Sequence, residues 1–145
     1  MKTKQQKDLE GNRGQRPTPD PITAPDMMDL APPSELPDES KQFWIAHVQI
    51  FVAMGVLKAP DRLKFAQYCH ACAQWLKLTK QLADQGSEMV PDTNNIDQRV
   101  YLRDRHHETV YKLGMLFGDN PTARMKLALK EQDKSDPVQQ FLKIG

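Results

Sequence analysis

Seven of the eleven prolines fall between Pro17 and Pro37, and no other feature of this 145-residue sequence limits its folding so strongly. Proline fixes its own φ, lacks an amide donor and pushes the preceding residue out of the helical region. Neither a helix nor a central strand can run through such a stretch. Large apolar side chains are almost absent from it before Met27. Ordering backbone there costs ~1–2 kcal/mol per residue with little apolar burial as an offset. Residues 1–35 are therefore expected to form a flexible basic tip and Pro-rich linker, mobile without a partner. What remains is long enough for one core and too short for two. The expected division is a helical domain at 36–133 and a C-terminal tail at 134–145.

Helical periodicity begins where the prolines end. In "LPDESKQFWIAHVQIFVAMG", Asp38 and Glu39 supply acids to a first turn. Phe43, Trp44, Val48, Phe51 and Val52 then recur at three- and four-residue spacing until Gly55. After "GVLKAP", Pro60 occupies a first helical position, and a second helix is predicted to about Asp84, before Gly86. "QGSEMVPDTNN" reads as a loop or a short extended excursion. A third helix is expected from about Ile96, capped by Asn94 or Asn95, with Val100, Tyr101, Val110, Leu113, Leu116 and Phe117 inward and Gly118 as its stop. Pro121 opens a shorter fourth with Met125, Leu127 and Leu129, and Val138–Ile144 adds a last amphipathic turn. The fold class is all-α, about four helices, with a helix-turn-helix-like corner between the first two.

Charge is segregated along the chain. Residues 1–16 carry five bases (Lys2, Lys4, Lys7, Arg13, Arg16) against two acids, and residues 17–40 carry six acids and no base. Residues 41–85 return to a net +4, with six bases against Asp61 and Asp84. A polyanion would be met at the tip or in that second basic block. The longest apolar run, near Phe51–Leu57, is about seven residues, far short of the roughly 20 needed to cross a bilayer, so no membrane partner is expected. No signal-peptide pattern opens the chain and two cysteines make no disulfide scaffold, which points to a reducing, intracellular setting.

Those cysteines lie in "YCHACAQW", a Cys-x-x-Cys spacing used by zinc sites and thiol exchange. Phe65, Tyr68, Cys69, Cys72, Trp75, Leu76 and Leu82 step by three and four, so both thiols are expected on the inward stripe, with His70 turned about 100° away. A zinc site needs four ligands, and only His47, His106 and His107 remain as candidates with no second Cys-x-x-Cys. The expectation is a pair of buried, apolar cysteines with no metal and no cofactor. "RDRHHE" at 103–108 holds potential ligands for a metal-dependent nuclease, with Asp104, His106 and His107 as its residues. Six consecutive helical residues spread around the axis and do not converge on one ion, so a charged surface is the simpler reading. Neither a phosphate-binding Gly-rich loop nor a nucleophile elbow occurs. No catalytic residue is assigned.

Four landmarks in order carry a resemblance: "LEGNRGQRPTPD" (9–20), "LPDESKQFW" (36–44), "MGVLKAPDRLKFAQYCHACAQW" (54–75) and "FGDNPTARMKL" (117–127). Together they resemble the small terminase subunits of tailed double-stranded DNA phages, over most of the chain from Leu9 to Leu129. Gln15 stands where that family commonly has a base, and Lys58 where it commonly has a hydroxyl. The resemblance implies a non-enzymatic protein of the bacterial host's cytoplasm. It implies binding of the packaging-start region of viral double-stranded DNA and presentation to the large terminase subunit, which holds the ATPase and nuclease. It also implies a ring-forming homo-oligomer.

Two clusters compete as the DNA contact. One is the tip, Lys2, Lys4, Lys7, Arg13 and Arg16, where Gly11 and Gly14 let the chain follow a groove. The other is Lys58, Arg62 and Lys64 at the corner, where a second helix can approach a major groove. A net +1 per chain is weak for phosphate binding, and repetition around a ring multiplies the contacts. In the tail, Phe141 and Leu142 are candidate anchors for docking the large subunit. A dimeric helix-turn-helix regulator is the competing binding protein, separable by its mass in solution.

Overall fold

The computed structural model describes residues 23–132. Three long helices form the body and a short fourth closes it: α1 (Asp38–Ala53), α2 (Arg62–Gln85), α3 (Gln98–Phe117) and α4 (Pro121–Gln132). A 3-10 turn, Ala59–Asp61, precedes α2. No strand occurs among the described residues beyond two isolated bridges, Asp26 with Lys58 and Met89 with Ile96.

Helix ends follow local chemistry. The Asp61 carboxylate accepts from the Lys58 amide at 3.1 Å, which fixes the turn that carries Pro60 into α2. Gly86 ends α2 at φ 74° and Gly118 ends α3 at φ 70°, left-handed conformations that glycine adopts at no steric cost. The cap of α3 is Asp97, whose side chain accepts from the Arg99 amide at 2.9 Å, and not Asn94 or Asn95. The Asn95 carbonyl is taken instead by the Val90 amide at 2.8 Å, inside the extended excursion that joins α2 to α3. Asn120 caps α4 through the Ala123 amide at 2.9 Å.

The core is aromatic. Phe65 is fully buried, with ring centroids 4.9 Å from Trp44, 5.2 Å from Phe51 and 5.6 Å from Phe117, so α1, α2 and the end of α3 meet on one side chain. Tyr68 joins them and reaches the Asp119 carboxylate through its hydroxyl at 3.3 Å. Gly114 makes room for that carboxylate: a Cβ there would lie 1.8 Å from Asp119 Oδ2.

Three expectations are corrected. First, the end of the expected linker, residues 25–35, is not a solvated segment throughout: Met27 is buried, Leu30 packs on the core, and the Trp44 indole donates to the Leu30 carbonyl at 2.9 Å. A few apolar anchors and one indole suffice to seat this non-helical segment against the helices, ahead of the first helix at Asp38. Second, Leu76 is 52% exposed, as are Tyr101 (62%) and Leu116 (51%) on α3. The partners of each helix cover only part of its circumference, and these residues fall at the margins of the buried stripe. Third, Met125 of α4 is exposed, and α4 meets the body through buried Ala123, half-buried Leu127 and Arg124, whose Nη1 donates to the Gly118 carbonyl at 3.1 Å. The tip residues Lys2, Lys4, Lys7, Arg13 and Arg16 and the tail residues Phe141 and Leu142 lie outside the described residues.

Candidate nucleic-acid interface

Both cysteines are free and buried on α2, as their spacing predicts. Burial pushes the Cys72 thiol up to about 11 and raises Cys69 further. Neither supplies a thiolate at neutral pH. His70, between them, shares a 2.9 Å hydrogen bond from its Nδ1 with the Oγ of the fully buried Ser40. His106 packs edge-on against His70 at 6.0 Å, and its pKa is lowered by burial, by His70 and by Arg105. Arg103 pairs with Glu88 and Asp104, while His107 is exposed. Among the described residues no group of three or more His, Cys, Asp or Glu side chains is placed to hold a metal ion.

The three basic residues of the corner have different fates. Lys58 Nζ lies 2.6 Å from Asp26 Oδ1. Arg62 donates from Nη1 to the Asp29 carbonyl and from Nη2 to the Ala31 carbonyl, each at 2.7 Å, and its guanidinium lies 5.5 Å over the Trp44 ring. Asp29 Oδ2 adds an ion pair at 3.4 Å. Both cations are therefore engaged by the segment 25–31. Lys64 is exposed and enters none of the ion pairs among the described residues.

Exposed beside Lys64 on the first two turns of α2 are Leu63 (73%) and Gln67. Gln67 follows Leu63 by four positions and Lys64 by three, so it lies one turn on from both and the three residues occupy one side of the helix. That face offers an apolar contact, a cation and a side-chain amide able both to donate and to accept. Leu63 and Gln67 also line a groove of about 430 Å³, whose other walls are Pro33, Glu35, Leu36, Pro37, Ala66 and His70. Gln67 is absent from the sequence-derived set because a search for charge passes over amides. Its spacing from Lys64 at the start of the corner's second helix was the available signal. Further along α2, Lys77 is paired with Glu39 at 2.9 Å and Lys80 is exposed.

No helix of the described residues is long and apolar enough to cross a membrane. Neither among curated proteins nor among solved structures is there a significant match. A family model described as "Phage terminase, small subunit" matches residues 40–134, from the first turn of α1 through α4, and includes the corner with its exposed face. That match covers more than half of the sequence and overlaps the last three of the four landmarks, while the first, at 9–20, lies outside it. The chain belongs to the phage terminase small subunit family, and its role lies in phage packaging.

Proposed function

We propose that this chain binds the packaging-initiation region of viral double-stranded DNA and recruits the large terminase subunit to it, in the cytoplasm of the bacterial host. It does so as a non-enzymatic adaptor, with the ATPase and nuclease chemistry left to the large subunit. The observation that carries this reading is the Leu63, Lys64 and Gln67 face at the start of α2, within the region matched by the family. A helix entering a major groove by its first turns needs these three kinds of contact. A cation holds a phosphate, an amide pairs with an adenine edge and an apolar side chain meets a thymine methyl. The basic tip, Lys2, Lys4, Lys7, Arg13 and Arg16, adds sequence-independent phosphate contacts. Phe141 and Leu142 dock the large subunit.

One chain offers too few phosphate contacts to grip DNA alone, and the reading therefore includes a ring of copies. Exposed Leu76, Tyr101, Leu102, Tyr111 and Leu116 on α2 and α3 support such an assembly, since apolar side chains of this size favour burial against a neighbour.

Duplex binding measured by fluorescence anisotropy across a salt series tests the contact. Lys64→Ala should weaken binding on every sequence and flatten the salt slope by about one per chain bound. Gln67→Ala should cost ~1–3 kcal/mol on the packaging-start sequence and little elsewhere. Unchanged binding in both variants would remove this face from the interface.

A further inference from the structure

We propose that the strap Pro25–Ala31 is an acidic cover on the basic start of α2, seated where a nucleic-acid backbone would lie, so that strap and polyanion compete for Lys58 and Arg62. The inference rests on the DNA-binding reading above and adds a regulation to it.

The strap reproduces what a phosphate backbone offers. Two oxygens, the carbonyls of Asp29 and Ala31, meet the two terminal nitrogens of Arg62 at 2.7 Å, the fork arrangement that guanidinium makes with phosphate. The Asp26 carboxylate gives Lys58 an anionic oxygen at 2.6 Å. Backbone pairing holds the register: Asp26 bridges Lys58, and the Ala59 amide donates to the Pro25 carbonyl at 3.0 Å. Met27, Leu30 and the Trp44 indole seat the strap, but its carboxylates are lightly held. Asp26 and Asp29 are 78% and 72% exposed, Met28 is 91% exposed, and the buried contact between them is Met27. Ion pairs this exposed are weak and screened by salt, so a denser anion can displace them. Release would free two cations near Lys64: Lys58, just ahead of the 3-10 turn, and Arg62, the first residue of α2.

The test replaces the two carboxylates, Asp26→Asn with Asp29→Asn, in the full chain. Asp84→Asn with Asp92→Asn serves as a control of equal charge change on exposed residues away from the strap. Each is measured for duplex affinity across a salt series and for the salt at which it leaves a heparin column. Removing both carboxylates strips Lys58 of its anionic partner and leaves Arg62 only the two neutral carbonyls, which a phosphate can displace, so duplex binding should tighten by about tenfold at low salt and the salt slope should steepen by about one to two per chain. Heparin elution should move to higher salt, and both gains should exceed those of the control pair. Adding Lys58→Ala and Arg62→Ala to the strap variant should erase the gain. Met27→Ala, which loosens the strap without changing charge, should shift both readouts the same way. If the strap variants match the control pair on duplex and heparin alike, the inference is overturned. If no protein binds duplex yet heparin retention rises above the control, the DNA reading fails and the strap's screening of the two cations stands.

Discussion

Replacing Gly114 by alanine sets two known effects against each other, and the structure decides which wins. Alanine is favoured over glycine inside a helix by roughly 1 kcal/mol, and Gly114 lies inside α3. Against this, the new Cβ would lie 1.8 Å from Asp119 Oδ2 and 2.3 Å from its Cγ, so the carboxylate must leave. It takes with it the acceptor of the Tyr68 hydroxyl, and Tyr68 is only 6% exposed. A buried hydroxyl left unpaired costs ~1–3 kcal/mol, and the forced repacking costs ~1–3 kcal/mol more. The net expectation is a loss of roughly 1–5 kcal/mol, read from urea unfolding at constant slope. Asp119→Ala removes the obstacle in advance. On that background Gly114→Ala should be neutral or stabilising by up to about 1 kcal/mol. A double-mutant cycle then isolates the coupling between the two positions. Stabilisation of the wild type by Gly114→Ala, or an equal cost in both backgrounds, would refute this account of why glycine occupies the position.

The buried thiols should resist modification. With Cys72 at about 11 and Cys69 higher, a thiol-specific chromogenic reagent at pH 8 should react slowly with the folded protein and promptly with both cysteines in denaturant. Fast reaction of the native state would place the cysteines in a reactive setting. At the other end of the pH scale, the side chain and amide of Arg99 hold the Asp97 carboxyl at about 2, below its unfolded value near 3.8. A group depressed on folding contributes stability above its unfolded pKa and loses it as pH falls through the folded one. The stability conferred by the Asp97 cap should therefore be complete above about pH 4 and fade towards pH 2, and Asp97→Asn should flatten that limb of a urea-midpoint titration.

The helices were legible because their signals are local. Proline and acids start α1, Pro60 leads into α2, and Gly86 and Gly118 stop α2 and α3 in the left-handed conformation. The aromatic core was legible from three- and four-residue spacing, as was the inward placement of Cys69 and Cys72. The strap was not. Its composition is that of a solvated segment, and its seating depends on Met27, Leu30 and the Trp44 indole meeting across a distance no local pattern encodes. The same gap affected the site. Counting Lys58 and Arg62 as free cations follows from sequence charge, whereas Asp26 and Asp29 neutralise them from more than thirty positions away. Tyr101, Leu116 and Leu76 read as inward from spacing alone and are exposed in the structure, because spacing gives the centre of an apolar stripe and not its width.

Adding individually weak cationic chains into one assembly is what makes duplex binding strong in this account, and native mass spectrometry of the full chain with and without duplex DNA addresses that most directly. The account predicts a closed oligomer of many copies that takes up duplex as a unit and releases it as salt rises. A monomer or dimer that holds duplex tightly at high salt would contradict it.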